Sequence, residues 1–239
     1  MRKPASIILV LIYTLIVQPL YVAHIVNAQV SSEVILAPNS EIYGNSYGEW
    51  TAKWWQWFLS MPDKGHPIHD LTGEKCGANQ SGPVWFLVGS WERSTPVERD
   101  CDIPEGKHIL LPIVNTECSV AEPGMENYKT DDQLRQCAVE GNKGVASLKA
   151  TLDNKELPNL WESRIQSPVF NATYPNGAVY NATKGTFRDV SDGYWVFLKP
   201  LAKGEHDIHF EMLQPSSNPG DTEDIGSTTA DVTYHLNVR

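Results

Sequence analysis

Six histidines follow residue 28, and five of them gather in two parts of the chain. His66, His69 and Asp70 share the stretch Gly65-His66-Pro67-Ile68-His69-Asp70, while His206, His209 and His235 belong to the C-terminal segments. A strand over residues 206–212 puts His209 on one face with Asp207 and Glu211, and turns His206 the other way with Ile208 and Phe210. Two histidines and a carboxylate suit a divalent metal, and His66, His209 and Asp70, with His69 beside them, are such a set. No spacing here matches a tight metal signature, so a hydrogen-bonded structural role competes with ligation. A second candidate is the polar stripe Glu49, Lys53 and Gln56 beside Trp54. Glu49 and Lys53 stand i, i+4 with the acid first, a pair worth only about 0.2–0.5 kcal/mol. The stripe is either a solvated helix face or the polar floor of an aromatic-walled cleft, the kind of site that holds small polar ligands. The third candidate is Asn115-Thr116-Glu117-Cys118 with Glu122, directly after an apolar segment. Two carboxylates at a strand end can do acid–base work, and an acidic loop stapled by Cys118 would read the same way. Nucleophilic catalysis has no support, because no Gly-x-Ser-x-Gly elbow and no phosphate-cradling glycine loop occurs.

The elements that must position these residues are mostly strands. Apolar or alternating segments at 83–89, 107–115, 147–152, 193–198, 206–212 and 229–238 read as strands, and Pro200 to Gly204 joins two of them as a hairpin. The exception is Gly48–Leu59, which carries Trp50, Trp54, Trp55 and Trp57. At 100° per residue, Trp50, Trp54, Trp57, Phe58 and Met61 form one apolar face, and Trp55 and Leu59 widen it. Ser46 and Glu49 match a capping box that starts this helix. Residues 130–138 read as a second, shorter helix with acidic groups at its positive end. Six to nine short strands with two helices imply a single mainly β domain over residues 29–239, an immunoglobulin-like or jelly-roll-like β-sandwich with a Trp-rich N-terminal helix.

The N-terminus reads as an export signal. Arg2 and Lys3 precede an apolar run from Ile7 to Val17, and Val26-Asn27-Ala28 offers a peptidase site before Gln29, which makes residues 1–28 a signal peptide. An uncleaved anchor is the alternative, although Gln18, Pro19 and His24 interrupt the run. Cleavage moves the net charge from −10 to −12 and leaves no stable membrane span. Such an acidic chain argues against nucleic acid and leaves neutral or cationic ligands open. Four cysteines in an exported chain imply two disulfides, and the local pairing Cys76–Cys101 and Cys118–Cys137 closes two short loops, each worth about 3 kcal/mol. Asn79, Asn171 and Asn181 each open an N-glycosylation sequon.

Tyr47-Gly48-Glu49-Trp50 with Lys53-Trp54-Trp55-Gln56-Trp57 resembles a group of secreted bacterial and archaeal proteins without an assigned activity. Gly82–Leu87, Ile103–Pro112, Glu117-Cys118 and Asp192–Phe210 extend the resemblance over most of the chain. It implies export and a shared fold, and it carries over no catalytic residue. The leading expectation is an exported binding or cell-surface interaction protein for an extracellular ligand, carbohydrate or otherwise neutral. The rivals are an exported metal-dependent hydrolase or oxidoreductase at the His66, His69, Asp70 and His209 set, and a structural envelope protein. No cofactor is implied beyond that divalent metal.

Overall fold

The computed structural model describes residues 34–92, 95–216 and 228–239. The expected signal segment, 1–28, lies outside them. In chain order the elements are β1 (Glu41–Ile42), β2 (Asn45–Ser46), α1 (Tyr47–Leu59), β3 (Val84–Phe86), β4 (Val97–Ile103) and β5 (His108–Ser119). There follow α2 (Asp131–Gly141), β6 (Ser147–Leu152), β7 (Lys155–Glu156), β8 (Arg164–Gln166), β9 (Phe170–Tyr174), β10 (Gly185–Leu198), β11 (Gly204–Gln214) and β12 (Thr228–Val238). Two five-stranded sheets face each other. The first runs β3-β5-β10-β8, with β9 also paired to β10. The second runs β4-β12-β11-β6-β7. Most pairs are antiparallel, but β3 lies parallel to β5 and β4 parallel to β12. The mainly β sandwich with two helices is therefore the architecture.

Alternation along the strands builds two cores on either side of the first sheet. Leu111, Tyr194, Val196 and Leu198 meet Ile208, Phe210, Val232 and Leu236 of the second sheet. On the other side, Leu110, Trp195, Phe197, Phe170 and Tyr174 meet Trp50, Trp54, Trp55 and Phe58 of α1. The molecule thus has three layers, with the first sheet in the middle. Each buried indole removes roughly 150–250 Å² from water, a gross gain of about 4–6 kcal/mol per ring. That gain explains why so aromatic a helix is covered nearly all round. Ser46 caps α1 as the capping box requires, accepting from Glu49 N while the Glu49 carboxylate accepts from Ser46 N at 2.7 Å. Gly48 lets the helix lie against β8, since a Cβ there would come within 2.7 Å of Gln166 O.

Helix α2 also begins with a capping box, Thr130 with Gln133, and packs Leu134 and Ala138 on Cys118 and Val190. Both expected disulfides are formed, Cys76–Cys101 and Cys118–Cys137. Among the described residues, no helix is long and apolar enough to cross a membrane.

Three expectations change. The strand expected over 83–89 is regular only through Val84–Phe86; Leu87–Trp91, which Leu87 N ties to Leu110 O at 3.0 Å, forms an irregular wall. Strand β10 begins eight residues before Gly193, because the polar run from Gly185 pairs with β9. Strand β5 continues through Ser119, so Asn115 and Glu117 lie inside a strand rather than in an acidic loop.

Candidate functional site

The layer between α1 and the first sheet is apolar at one end and polar at the other. At the boundary lies a cavity of about 210 Å³. Trp54, Trp55 and Phe58 of α1 form one wall, and Pro112 to Asn115 of β5 form another. The ends of β11 and β12 contribute Met212 and Ala230. Two exposed rings flank it: Trp91 is 41% exposed and Tyr180 is 36% exposed, with ring centroids 5.4 Å apart. His69 and Phe58 pack edge-on against Trp91, at 5.2 and 6.4 Å. Tyr180 has φ 58° and ψ 11°, a left-handed backbone that a side chain this large adopts at a cost of about 1–3 kcal/mol. Two donors in the wall, Trp55 Nε1 and Asn115 Nδ2, are buried without a partner.

The wall carrying Trp91 is held by Arg99, which is 2% exposed. Its Nε donates to Asp70 O at 2.6 Å, and Nη1 donates to Gly89 O at 2.8 Å, Val88 O at 3.2 Å and the Tyr234 hydroxyl at 2.8 Å. The Tyr234 hydroxyl in turn donates to Val88 O at 2.9 Å. One guanidinium therefore fastens the His66–Asp70 turn and the Leu87–Trp91 wall to the second sheet.

Beyond Asn115 the same sheet face turns acidic. Register places Asn115 opposite Gly193, Glu117 opposite Ser191, and Ser119 opposite Asp189. Side chains at such paired positions project to one face. Gly193 is required there, because a Cβ would lie 2.5 Å from Asn115 Cβ. Glu117 contacts both Asp189 and Glu122 through its carboxyl, and Tyr174 donates its hydroxyl to Asp189. Burial first, then the neighbouring Glu122 and Asp189 charges, raise Glu117 well above the carboxylate range. Burial likewise raises Glu122, and lifts Asp189 to about 7 despite the opposing hydrogen bond from Tyr174. Tyr174 and Tyr180 are also raised, by burial of their hydroxyls and then by Glu117, while the Tyr180 ring keeps an exposed edge. Tyr180 thus borders the cavity with its ring while lying within electrostatic range of Glu117 and Glu122.

The residues singled out from sequence are distributed as follows. Glu49 is exposed and caps its own helix, Lys53 lies 5.7 Å over the Trp50 ring, and Gln56 donates to Asn171 O at 2.9 Å. These three do not share a concavity; only Trp54 reaches the cavity, with its Nε1 donating to Leu87 O at 2.8 Å. His66 is buried and uses both nitrogens: Nδ1 accepts from Ile68 N at 3.1 Å, and Nε2 donates to Phe58 O at 2.9 Å. His69 meets Asp63 at 2.7 Å, and Asp70 accepts from the amides of Thr72 and Lys75. His209 lies apart from these three, on the outer face of the second sheet. Its Nε2 is 3.0 Å from Asp231 and 3.8 Å from Glu211. That trio is the one set of three His, Cys, Asp or Glu side chains lying mutually close among the described residues. Lys149 pairs with Glu211 at 2.9 Å, and all three groups are substantially exposed, so a surface ion-pair network accounts for the contacts. Asn79, Asn171 and Asn181 all have exposed side chains.

Trp91, Tyr180, Asp189 and Arg99 were not apparent as site residues in the sequence. The available signal was the polar alternation Asn115, Glu117, Ser119 within an otherwise apolar strand, mirrored by Asp189, Ser191 and Gly193.

No protein-family model matches this chain, and no curated protein matches it. Among solved structures, it is similar to a chain of the PbICP-C complex with falcipain-2, at 10% identity over 66% of this chain and 100% of that one, with a TM-score of 0.26. It is also similar to the cysteine protease inhibitor EhICP2 from Entamoeba histolytica, at 13% identity over 64% and 96%, TM-score 0.23. Amebosin matches at 12% identity over 66% and 100%, TM-score 0.21. Overlaps this loose assign neither a family nor an activity.

Proposed function

We propose that this protein is an exported binding protein that holds a small, neutral, hydroxylated ligand of carbohydrate type in the cavity bordered by the paired rings of Trp91 and Tyr180. The observation that carries the reading is the combination of two exposed rings with two buried, unpartnered donors in one concavity. Aromatic rings stack on the apolar face of a sugar ring, and hydroxyl oxygens supply the acceptors that Trp55 Nε1 and Asn115 Nδ2 lack. At about 210 Å³ the cavity lies below the roughly 300 Å³ at which drug-sized pockets begin, so it suits about one ring of a ligand. The net charge of −10 disfavours an anionic ligand. The two disulfides suit an oxidising, extracytoplasmic setting, which supports export.

The test is saturation-transfer NMR on the purified protein with a panel of neutral mono- and disaccharides, choline and acetate. Transfer to a saccharide is expected, with affinity reduced about 2- to 10-fold in Trp91→Ala. Asn115→Ala should weaken it further. Transfer to choline or acetate alone, or saccharide binding unchanged in Trp91→Ala, refutes the reading. A silent panel leaves the structural envelope role in its place.

A further inference from the structure

We propose that Glu117, Asp189 and Ser191 form a buried site for a hard divalent cation of calcium type, held between β5 and β10 on the face toward α1. The site is separate from the neutral-ligand reading and does not depend on it.

On this face Oδ2 of Asp189 and Oγ of Ser191 lack any hydrogen-bond partner, and the two Glu117 oxygens find no donor, meeting only the Asp189 and Glu122 carboxyls. Glu117 is 6% exposed and Ser191 is 1% exposed. Ser191 stands directly opposite Glu117 in the strand register, which brings their Cβ atoms to about 4.5–5.5 Å and aims both side chains at one volume. Asp189 lies two residues along the same strand, on the same face, in carboxyl contact with Glu117. Buried, unpaired oxygens in such number are rare in folded proteins, and an ion is one of the ordinary reasons for them. A buried carboxyl either holds a proton or needs a counter-charge, so a cation here would compete with protons. The charged groups acting most strongly on Glu117 are Glu122 and Asp189, both acidic. From the other packed elements the groups facing it are Tyr174 of β9 and Tyr180. Arg188, which precedes Asp189 in the chain, is exposed and paired with Asp131 instead.

The donor chemistry selects the ion. Every donor is oxygen, with no thiolate or imidazole, which favours hard cations over zinc or copper. Calcium tolerates irregular sets of six to eight oxygens, whereas magnesium demands a near-octahedral shell and keeps its waters. Two carboxylates match a divalent charge. Glu122 is excluded from the ligand set, since the three carboxylates do not lie mutually close enough to share one ion, and its Oε1 accepts from Ser119 N at 3.1 Å. Tyr174 orients Asp189 by donating to its Oδ1, which leaves Oδ2 for the ion.

The experiment is isothermal titration of the EDTA-dialysed full protein with calcium chloride and magnesium chloride, with melting temperature followed in parallel. About one calcium per chain is expected, together with a melting temperature that rises with calcium and returns with EDTA. Glu117→Gln should weaken calcium binding by about 100-fold or more, since even outer-shell partners are worth 10–100-fold. Ser191→Ala, a small change that preserves the fold, should weaken it measurably, whereas His209→Ala should leave it intact. Absence of calcium heat with identical melting in calcium and EDTA overturns the proposal. So does binding that survives both Glu117→Gln and Ser191→Ala, or that disappears in His209→Ala.

Discussion

Replacing Arg99 with methionine tests whether one buried guanidinium holds the cavity wall. Methionine keeps the unbranched stem but removes every donor. Of the three carbonyls that Arg99 serves, Val88 O retains the Tyr234 hydroxyl at 2.9 Å. Asp70 O and Gly89 O lose their Arg99 donor. Each orphaned buried acceptor costs about 1–3 kcal/mol. Relief from burying a cation offsets part of this, so a net loss of about 2–5 kcal/mol is expected. For a chain of this size that corresponds to a fall in melting temperature of about 5–15 °C. Urea unfolding followed by tryptophan fluorescence would measure it, with Arg99→Lys falling in between because an ammonium cannot span the same carbonyls. Ligand affinity at the cavity should fall in both variants, since Trp91 follows directly from the released wall. A loss below about 1 kcal/mol, with binding unchanged, would refute this account of the wall.

Gly193→Ala should destabilise the protein by about 3 kcal/mol in urea unfolding, because the added methyl meets Asn115 Cβ and the β5 backbone at 2.5–2.6 Å. Replacing Cys118 and Cys137 together by alanine should cost about 3 kcal/mol, read as a lower urea midpoint. His66 is held below its usual range mainly by burial, so its contribution is complete above pH ~6.5 and is lost as pH falls through its folded value; His66→Gln should flatten the acid side of the stability curve. In EDTA the carboxyls have the opposite sign. Asp189, lifted from 3.8 to about 7 chiefly by burial, and Glu117 stabilise as neutral acids below pH ~4, and this is lost as pH rises toward 7. Asp189→Asn should remove much of that slope in melting temperature between pH 4 and 8.

Local pattern made the helices and the disulfides legible. The indoles of α1 recur at helical spacing, and both capping boxes stand in the letters Ser46-x-x-Glu49 and Thr130-x-x-Gln133. The two cysteine pairs close short loops, which loop entropy favours. The site was less legible because it is assembled from distant pieces. Trp91 lies in an aperiodic wall, and Tyr180 sits in a turn whose left-handed backbone no letter announces. Glu117 was recognisable as a candidate, but Asp189 joins it only through a strand register 72 residues away in the chain. The letters of the histidines do not distinguish a turn cap such as His66 from a ligand.

Strand β12 lies between β4 and β11, with β4 running parallel to it from the first half of the chain. Any product that stops short of β12 would leave two strand edges bare and one flank of the sandwich interior wet. The arrangement leaves the second sheet incomplete until β12 has been made. It also makes truncated fragments prone to cross-strand aggregation rather than to partial function.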